Sequence, residues 1–215
     1  MSKAVSRQFL VDGLPIDGVE PGTSILLTGD DSKALEAAFY ELVAPASDEH
    51  AAVLSTDTPG RSVKRSVDQV EAGAGDRTSV LAGTGRGSTD VQSVDDLGDL
   101  TGLGMAFSAM VTEAQQHSGN FRSGIMLCSS VCAAAADIRS VYRMLNSNFL
   151  PPLRRGDGVG VCALDTSAEI GSPSSSIVKG MSTSFTCHIR VESSGRDVTL
   201  DLSELGGPAQ AKLSP

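Results

Sequence analysis

Short apolar runs alternate along the chain with segments in which apolar residues recur every three or four positions. The first run, Ser24–Thr28, is followed by a helical pattern from Ser32 to Val43. A second run at 51–55 precedes a predicted helix at 61–70, and a third run covers 79–82. This pattern predicts strands that alternate with helices, which is the arrangement of a parallel sheet.

The second half of the chain continues the alternation and then changes period. Further helices are predicted at 102–116 and 133–148, and further strands at 124–128 and 159–164. From residue 184 to 202, polar and apolar residues alternate on both sides of a Ser-Ser-Gly-Arg turn, which favours an antiparallel hairpin. We therefore predict an α/β fold: a mainly parallel sheet flanked by helices on both faces, with a C-terminal antiparallel hairpin.

Three regions follow from this pattern. Residues 1–22 precede the first predicted strand and form an N-terminal leader. Residues 23–205 form one α/β domain, and residues 206–215 form a flexible tail rich in Gly, Pro and small residues. No apolar run approaches the length of a membrane-spanning helix and the N-terminus lacks the pattern of a signal peptide, so we expect a cytoplasmic protein.

The excess of acidic over basic residues bears on which kinds of partner the protein could bind. The 215 residues carry a formal net charge of −9, with 17 Asp against 9 Glu and 12 Arg against 5 Lys. An acidic chain disfavours direct binding to nucleic-acid phosphates. Many Asp and few Lys fit a halophilic protein in a high-salt cytosol, and an ordinary acidic protein is the alternative.

Cysteines and histidines give no metal or catalytic signature. The four cysteines lie in or near apolar runs, which favours small buried side chains in a reducing compartment. The three histidines are scattered, without the spacing of a metal-binding motif. We expect no metal site and no catalytic histidine.

The turn between the first strand and the first helix carries the candidate chemistry. A P-loop reads G-x-x-x-x-G-K-[ST], and its backbone N–H groups, Lys and hydroxyl hold phosphate and Mg²⁺. Here Gly29 and Lys33 match, but the loop is two residues short, Ser32 replaces the second Gly and Ala34 replaces the hydroxyl. Two acids, at positions 30 and 31, lie where phosphate would bind. Either could cap the helix instead.

Several segments in order resemble one protein family. Residues 53–59, Val-Leu-Ser-Thr-Asp-Thr-Pro, resemble the second core strand of KaiC-like ATPases of the RecA superfamily. Residues 99–104, Asp-Leu-Thr-Gly-Leu-Gly, resemble the "DLTGIG" segment of a haloarchaeal branch of that family. Residues 137–145 and 156–165 resemble its "VFRFLH … DGLGVFTLD" run. The resemblance implies a RecA-like fold and, in active members, ATP bound between subunits of a ring or filament.

Carried over residue by residue, the resemblance implies a vestigial nucleotide site of Gly29, Ser32, Lys33, Asp57 and Asp165. Asp57 is the only acid near the position of the water-polarising carboxylate, and Asp165 ends the fifth predicted strand. The family's Mg²⁺-associated Asp is replaced, with Cys128 at the matching strand end and the hydroxyls at 129 and 130 as substitutes. Each of these two acids also has an ordinary structural interpretation: Asp57 as a turn-forming residue and Asp165 as a cap of the segment that follows it.

We therefore predict a catalytically degenerate domain, a pseudo-ATPase with no catalytic residue and no required cofactor. It would act as a regulatory or scaffolding protein through a protein partner or a homo-oligomer, with an active paralogue as one candidate partner. The first alternative is a divergent ATP-binding protein or weak ATPase that retains ATP or ADP on Lys33, with Asp57 or Asp165 on Mg²⁺. The second is a regulator of transcription or DNA metabolism, which the acidic charge disfavours.

Overall fold

The computed structural model describes residues 8–85, 87, 91–156, 158–195 and 197–213. The described chain forms a nine-stranded sheet and seven α-helices. The strands are β1 (Ser24–Gly29), β2 (His50–Ser55), β3 (Thr78–Ala82), β4 (Val91–Ser93), β5 (Phe121–Met126), β6 (Val159–Asp165), β7 (Cys187–Ser194), β8 (Asp197–Leu200) and β9 (Ala211–Leu213). The helices are α1 (Ser32–Val43), α2 (Gly60–Val70), α3 (Leu100–Ser118), α4 (Cys128–Ala134), α5 (Ile138–Met144), α6 (Leu150–Gly156) and α7 (Ser174–Ser182).

The strand order is β4-β3-β2-β5-β6-β1-β7-β8-β9. Strands β1 to β7 pair in parallel, whereas β8 and β9 pair antiparallel and extend the sheet beyond β7. Strand β1 therefore lies between β6 and β7, and its carboxyl end meets those of both neighbours. This confirms the predicted α/β class with its mainly parallel sheet and antiparallel C-terminal strands.

Helices cover both faces of the sheet. On one face α1 and α2 bury an apolar set that includes Leu35, Phe39 and Val63. On the other face α3 to α7 bury a second set around Phe107, Phe149 and other apolar side chains. Parallel strands buried on both faces require near-continuous apolar sequence, and every residue of β6 is buried. In the described part of the chain, no helix is long and apolar enough to span a membrane.

Three differences from the sequence prediction lie around β5. The strand spans Phe121–Met126 and ends earlier than the predicted 124–128, because Leu127 adopts a left-handed conformation (φ 56°) and α4 begins at Cys128. The helix predicted at 133–148 is interrupted after Ala134. Asp137 restarts it by accepting a hydrogen bond from the amide of Ser140 (3.0 Å).

The remaining differences concern elements with a weak local signal. A π-helical turn, Leu145–Phe149, joins α5 to α6. Helix α7 begins at Ser174 in a stretch rich in Ser, Pro and Gly, and neither α7 nor the short strand β4 was predicted.

Both chain ends pack against the domain where they are described. In the leader, Phe9 and Val19 form a β-bridge and are buried, as are Val11 and Leu14. In the segment predicted as a flexible tail, Ala211–Leu213 forms β9 and pairs with β8, because two of its three side chains are buried. The leader residues 1–7 and the tail residues 214 and 215 lie outside the described residues. The domain boundaries themselves stay a prediction.

Candidate functional site

The junction between β1 and α1 consists of Asp30 and Asp31 alone. Asp31 is the N-cap residue of α1, and its Oδ1 accepts hydrogen bonds from the amides of Lys33 (2.9 Å) and Ala34 (3.1 Å). A phosphate bound at a helix N-terminus would use N–H groups of this kind. The chain's own carboxylate therefore occupies the donors that a P-loop offers to its nucleotide.

A second contact holds the Asp31 carboxylate in place. The hydroxyl of Ser193, near the end of β7, donates to Asp31 Oδ2 at 3.0 Å. The pKa of Asp31 lies below its usual value because the amide of Ala34, the hydroxyl of Ser193 and the amide of Lys33 all donate to it. The Asp31 side chain is consequently an ionised N-cap of α1.

Ser32 and Asp165 meet at the same edge of the sheet. Gly29 and Asp165 are paired residues at the ends of β1 and β6, so the first residue of α1 lies above the Asp165 carboxylate. The hydroxyl of Ser32 donates to Asp165 Oδ2 at 2.6 Å, and the amide and hydroxyl of Ser167 donate to Oδ1 at 2.8 and 2.7 Å. Burial raises the pKa of Asp165, but these hydrogen bonds outweigh it and the net pKa is below the usual value.

Gly29 has a packing role at this junction. A Cβ at this position would lie 2.8 Å from the carbonyl oxygen of Val191 in β7, which real side chains do not tolerate. The carbonyl of Gly29 accepts hydrogen bonds from both the amide (2.7 Å) and the hydroxyl (2.9 Å) of Thr166. The glycine therefore permits the close approach of β7 to β1.

The Lys33 side chain is exposed beside this cluster. It lines a shallow surface depression together with Asp30, Asp31, Ser32 and Ser193. Its charge contributes to lowering the pKa of Asp31. Lys33 thus lies among acids and hydroxyls.

Asp57 lies apart from the Ser32–Asp165 cluster, because β5 and β6 separate β2 from β1. Its Oδ2 accepts hydrogen bonds from the hydroxyls of Ser130 (2.7 Å) and Thr56 (3.2 Å). The Thr56 hydroxyl also lies 3.2 Å from the carbonyl oxygens of Met126 and Leu127. These contacts tie the turn after β2 to the strained turn after β5.

Cys128 does not occupy the open end of a strand, contrary to the alignment with the family's Mg²⁺-associated Asp. It is fully buried as the first residue of α4, in contact with Cys132 and Cys162. Its hydrogen bond with Cys132 favours the thiolate, but the bond with Cys162 and burial outweigh it, so the pKa of Cys128 is raised well above its usual value. Of the two hydroxyl substitutes, Ser129 is buried and Ser130 donates to Asp57.

The structure thus brings Gly29, Ser32, Lys33 and Asp165 together and leaves Asp57 at the end of β2, with β5 and β6 between β2 and β1. No group of three or more His, Cys, Asp or Glu residues that could hold a metal ion occurs among the described residues. The sequence analysis left Asp30 and Asp31 as alternative caps of α1, and in the structure the N-cap is Asp31. Ser193 was missed, because it lies 162 positions from its partner Asp31 in the sequence.

Comparison with known proteins places the chain in a family. Residues 22–191 match the model of a family of unknown function, DUF7504, and the chain belongs to that family. None of the curated proteins matches it.

Solved structures share the fold at low sequence identity. An uncharacterized protein from Pyrococcus horikoshii, PH0321, in complex with an unknown peptide, superposes with a TM-score of 0.58 at 12% identity over 85% of this chain and 84% of its own. The KaiC-like protein PH0186 from the same organism gives 0.56 at 12% identity over 91% and 87%. A third P. horikoshii protein, PH0250, gives 0.53 at 10% identity over 84% and 86%. The fold is therefore the RecA-like fold of KaiC-like proteins.

Proposed function

We propose that this protein is a catalytically degenerate member of the KaiC-like group, a pseudo-ATPase that acts as a regulatory or scaffolding protein. One observation carries the proposal: the carboxylate of Asp31 accepts the hydrogen bonds of the first-turn amides of α1. A nucleotide phosphate would have to displace this carboxylate and lie beside it, and repulsion between two anions opposes that.

The lost metal ligands support the same conclusion. Phosphoryl transfer depends on a cation that neutralises charge on the transferring group. The position of the P-loop hydroxyl is Ala34, which is buried, and the thiol of Cys128 is buried in the core. The carboxylates of Asp57 and Asp165 each accept hydrogen bonds from neighbouring hydroxyls. We infer that the P-loop is degenerate and that the chain does not turn over ATP.

A role through protein contacts follows from what the chain retains. The fold keeps a sheet covered on both faces, which supplies a rigid surface for a partner. The relative PH0321 was solved with an unknown peptide, so at least one protein of this fold holds a peptide. We propose that the partner here is another protein, a second copy of the chain or an active paralogue. The acidic composition fits a halophilic, haloarchaeal member.

Removing the cap tests the proposal. Binding of inorganic phosphate and of Mg-ATP is measured in molar KCl for the wild type, for Asp31→Ala and for the matched control Asp30→Ala, which removes a neighbouring acid that does not cap the helix. We expect no binding by the wild type, and phosphate binding by Asp31→Ala alone because only that variant frees the α1 amides. Equal binding by wild type and Asp31→Ala would refute the exclusion of phosphate by the cap.

A weak ATPase that uses Lys33 remains the alternative, because Lys33 is exposed beside the site. Steady-state ATP hydrolysis and molar mass by light scattering distinguish the two functions. A scaffold gives no turnover and a mass that does not change with ATP. Turnover that Lys33→Ala abolishes would establish the enzyme instead.

A further inference from the structure

Two of the three histidines lie side by side at the edge where the parallel strands begin, opposite the edge at which α1 begins. His50 is the first residue of β2, and His117 lies in the last turn of α3. Their ring centroids are 5.0 Å apart, and the ring planes are tilted by 32°. Packing of α3 against β2 therefore holds two imidazoles together although they lie 67 positions apart in the sequence.

The hydrogen bonds of His117 leave one nitrogen available. Its Nδ1 lies 2.8 Å from the carbonyl oxygen of Glu113, and a carbonyl only accepts, so Nδ1 carries the proton. The Nε2 atom then presents a lone pair. A histidine that binds a metal ion commonly donates its other N–H to a backbone carbonyl in this way, which fixes the tautomer and the ring orientation.

The Nδ1 atom of His50 is buried and has no hydrogen-bond partner among the described residues. Buried polar atoms nearly always have a hydrogen-bond partner or a bound ion. A nitrogen without one, next to a second imidazole, is therefore a candidate metal ligand. The third histidine differs, because the Nε2 of His188 lies 2.8 Å from the hydroxyl of Thr28.

The ring separation suits two ligands of one ion. A metal–nitrogen bond of about 2.0–2.1 Å puts an imidazole centroid roughly 3.2 Å from the ion, so two imidazoles at a tetrahedral angle have centroids about 5 Å apart. The observed 5.0 Å matches this value. Burial lowers the pKa of His50, and the charge of nearby Arg77 lowers it further. Arg77 itself donates to the carbonyls of Ala46 and Pro45, both at 3.0 Å.

We propose that His50 Nδ1 and His117 Nε2 bind one divalent transition-metal ion, such as Zn²⁺, Ni²⁺ or Cu²⁺. Water completes the coordination, because no third protein ligand is grouped with the two histidines in the described residues. The ion links the start of β2 to the end of α3 and stabilises their packing. This site is independent of the proposed pseudo-ATPase function. The two histidines form no recognisable metal-binding motif because they lie far apart in the sequence and meet only in the fold.

The test uses the full chain without a histidine tag, freed of metal with EDTA. Thermal melts and calorimetric titrations with ZnCl₂ and NiCl₂ are compared for the wild type, His117→Asn, His50→Asn and the matched control His188→Asn. We expect wild type and His188→Asn to gain several degrees in Tm at a metal concentration about 100 times Kd. Cu²⁺ should bind more tightly than Ni²⁺ or Zn²⁺.

His117→Asn should abolish the metal-induced shift while retaining the metal-free Tm, because His117 is exposed. This variant keeps the test valid if His50→Asn, which changes a partly buried residue, folds poorly. No shift in the wild type at millimolar Zn²⁺ and Ni²⁺ would overturn the proposal. A shift that survives in His117→Asn would overturn it equally, since the metal would then bind elsewhere.

Discussion

Replacing Arg122 tests how the buried centre of the domain is held together. Arg122 lies in β5 with a side chain only 2% exposed, and its Nε donates to Glu49 Oε2 at 2.6 Å. Its two terminal nitrogens donate to the carbonyls of Leu42 (3.0 Å) and Leu10 (2.6 Å). The guanidinium also lies 5.6 Å from the centroid of the Phe9 ring. One side chain therefore links the leader, α1 and the start of β2 to the middle of the sheet.

The expected cost of Arg122→Met follows from the burial of both partners. Removing one member of a buried ion pair costs about 3–5 kcal/mol, because the other charge stays buried and uncompensated. Glu49→Gln keeps an acceptor for the guanidinium and should cost about 2 kcal/mol. In the double variant neither charge is left alone, so its cost should be smaller than the sum of the two single costs.

Equilibrium unfolding in urea measures these free energies for the wild type, both single variants and the double variant. The series is repeated at low and at molar KCl, because a buried pair is screened far less than an exposed one. We expect Arg122→Met to remain strongly destabilising in both salts. A cost below about 1 kcal/mol for Arg122→Met, or strictly additive costs in the double variant, would refute the reasoning.

Three further predictions concern the site, the thiols and the sheet. Asp165 has a lowered pKa in the folded protein, so its contribution to stability is present above the unfolded pKa of about 3.9 and is lost as the pH falls below it. Asp165→Asn should therefore flatten the acid limb of a stability-versus-pH curve from urea unfolding, and an unchanged curve would contradict the hydrogen bonds to Asp165. All four cysteines are buried and none forms a disulfide. Ellman's reagent should therefore titrate four thiols only after denaturation. Rapid reaction of the native protein would contradict the packing of these thiols. A Cβ at Gly124 would lie 2.4 Å from Cζ of Phe39. Gly124→Ala should therefore lower the free energy of unfolding by about 1–3 kcal/mol. A change below about 0.5 kcal/mol would contradict this prediction and show that the Phe39 ring moves aside.

Local patterns predicted the helices and strands whose signals lie within the segment itself. Helix α1 spans Ser32–Val43 as predicted, because its apolar spacing is regular and an aspartate precedes it. Strand β5 is a case in which the local pattern was insufficient. Its start was missed because Arg122 reads as a surface residue, while its burial depends on partners 73 and 112 positions away.

The candidate site shows the same division between local and distant information. Residues 24–36 alone show the shortened turn, the missing hydroxyl and the two acids that could cap α1. The bond from Ser32 to Asp165 spans 133 positions and arises from the pairing of β1 with β6, which periodicity does not specify. The burial of Cys128 was predicted, but its position as the first residue of α4 was missed because the left-handed turn at Leu127 carries no glycine to mark it.

Under the proposed function, the short loop between β1 and α1 and the capping side chain of Asp31 explain why this RecA-like fold would not bind ATP. The sheet still aligns the carboxyl ends of β1 and β6, where a ligand would bind in an α/β protein. At that edge the carboxylates of Asp31 and Asp165 are hydrogen-bonded to the chain's own amides and hydroxyls.

The most direct test of this account is calorimetric titration of the wild-type protein with ATP and ADP in molar KCl, with and without Mg²⁺. The account predicts no binding tighter than millimolar, which corresponds to about 4 kcal/mol. Micromolar, Mg²⁺-dependent binding that Lys33→Ala abolishes would contradict it and would establish a divergent ATP-binding protein in its place.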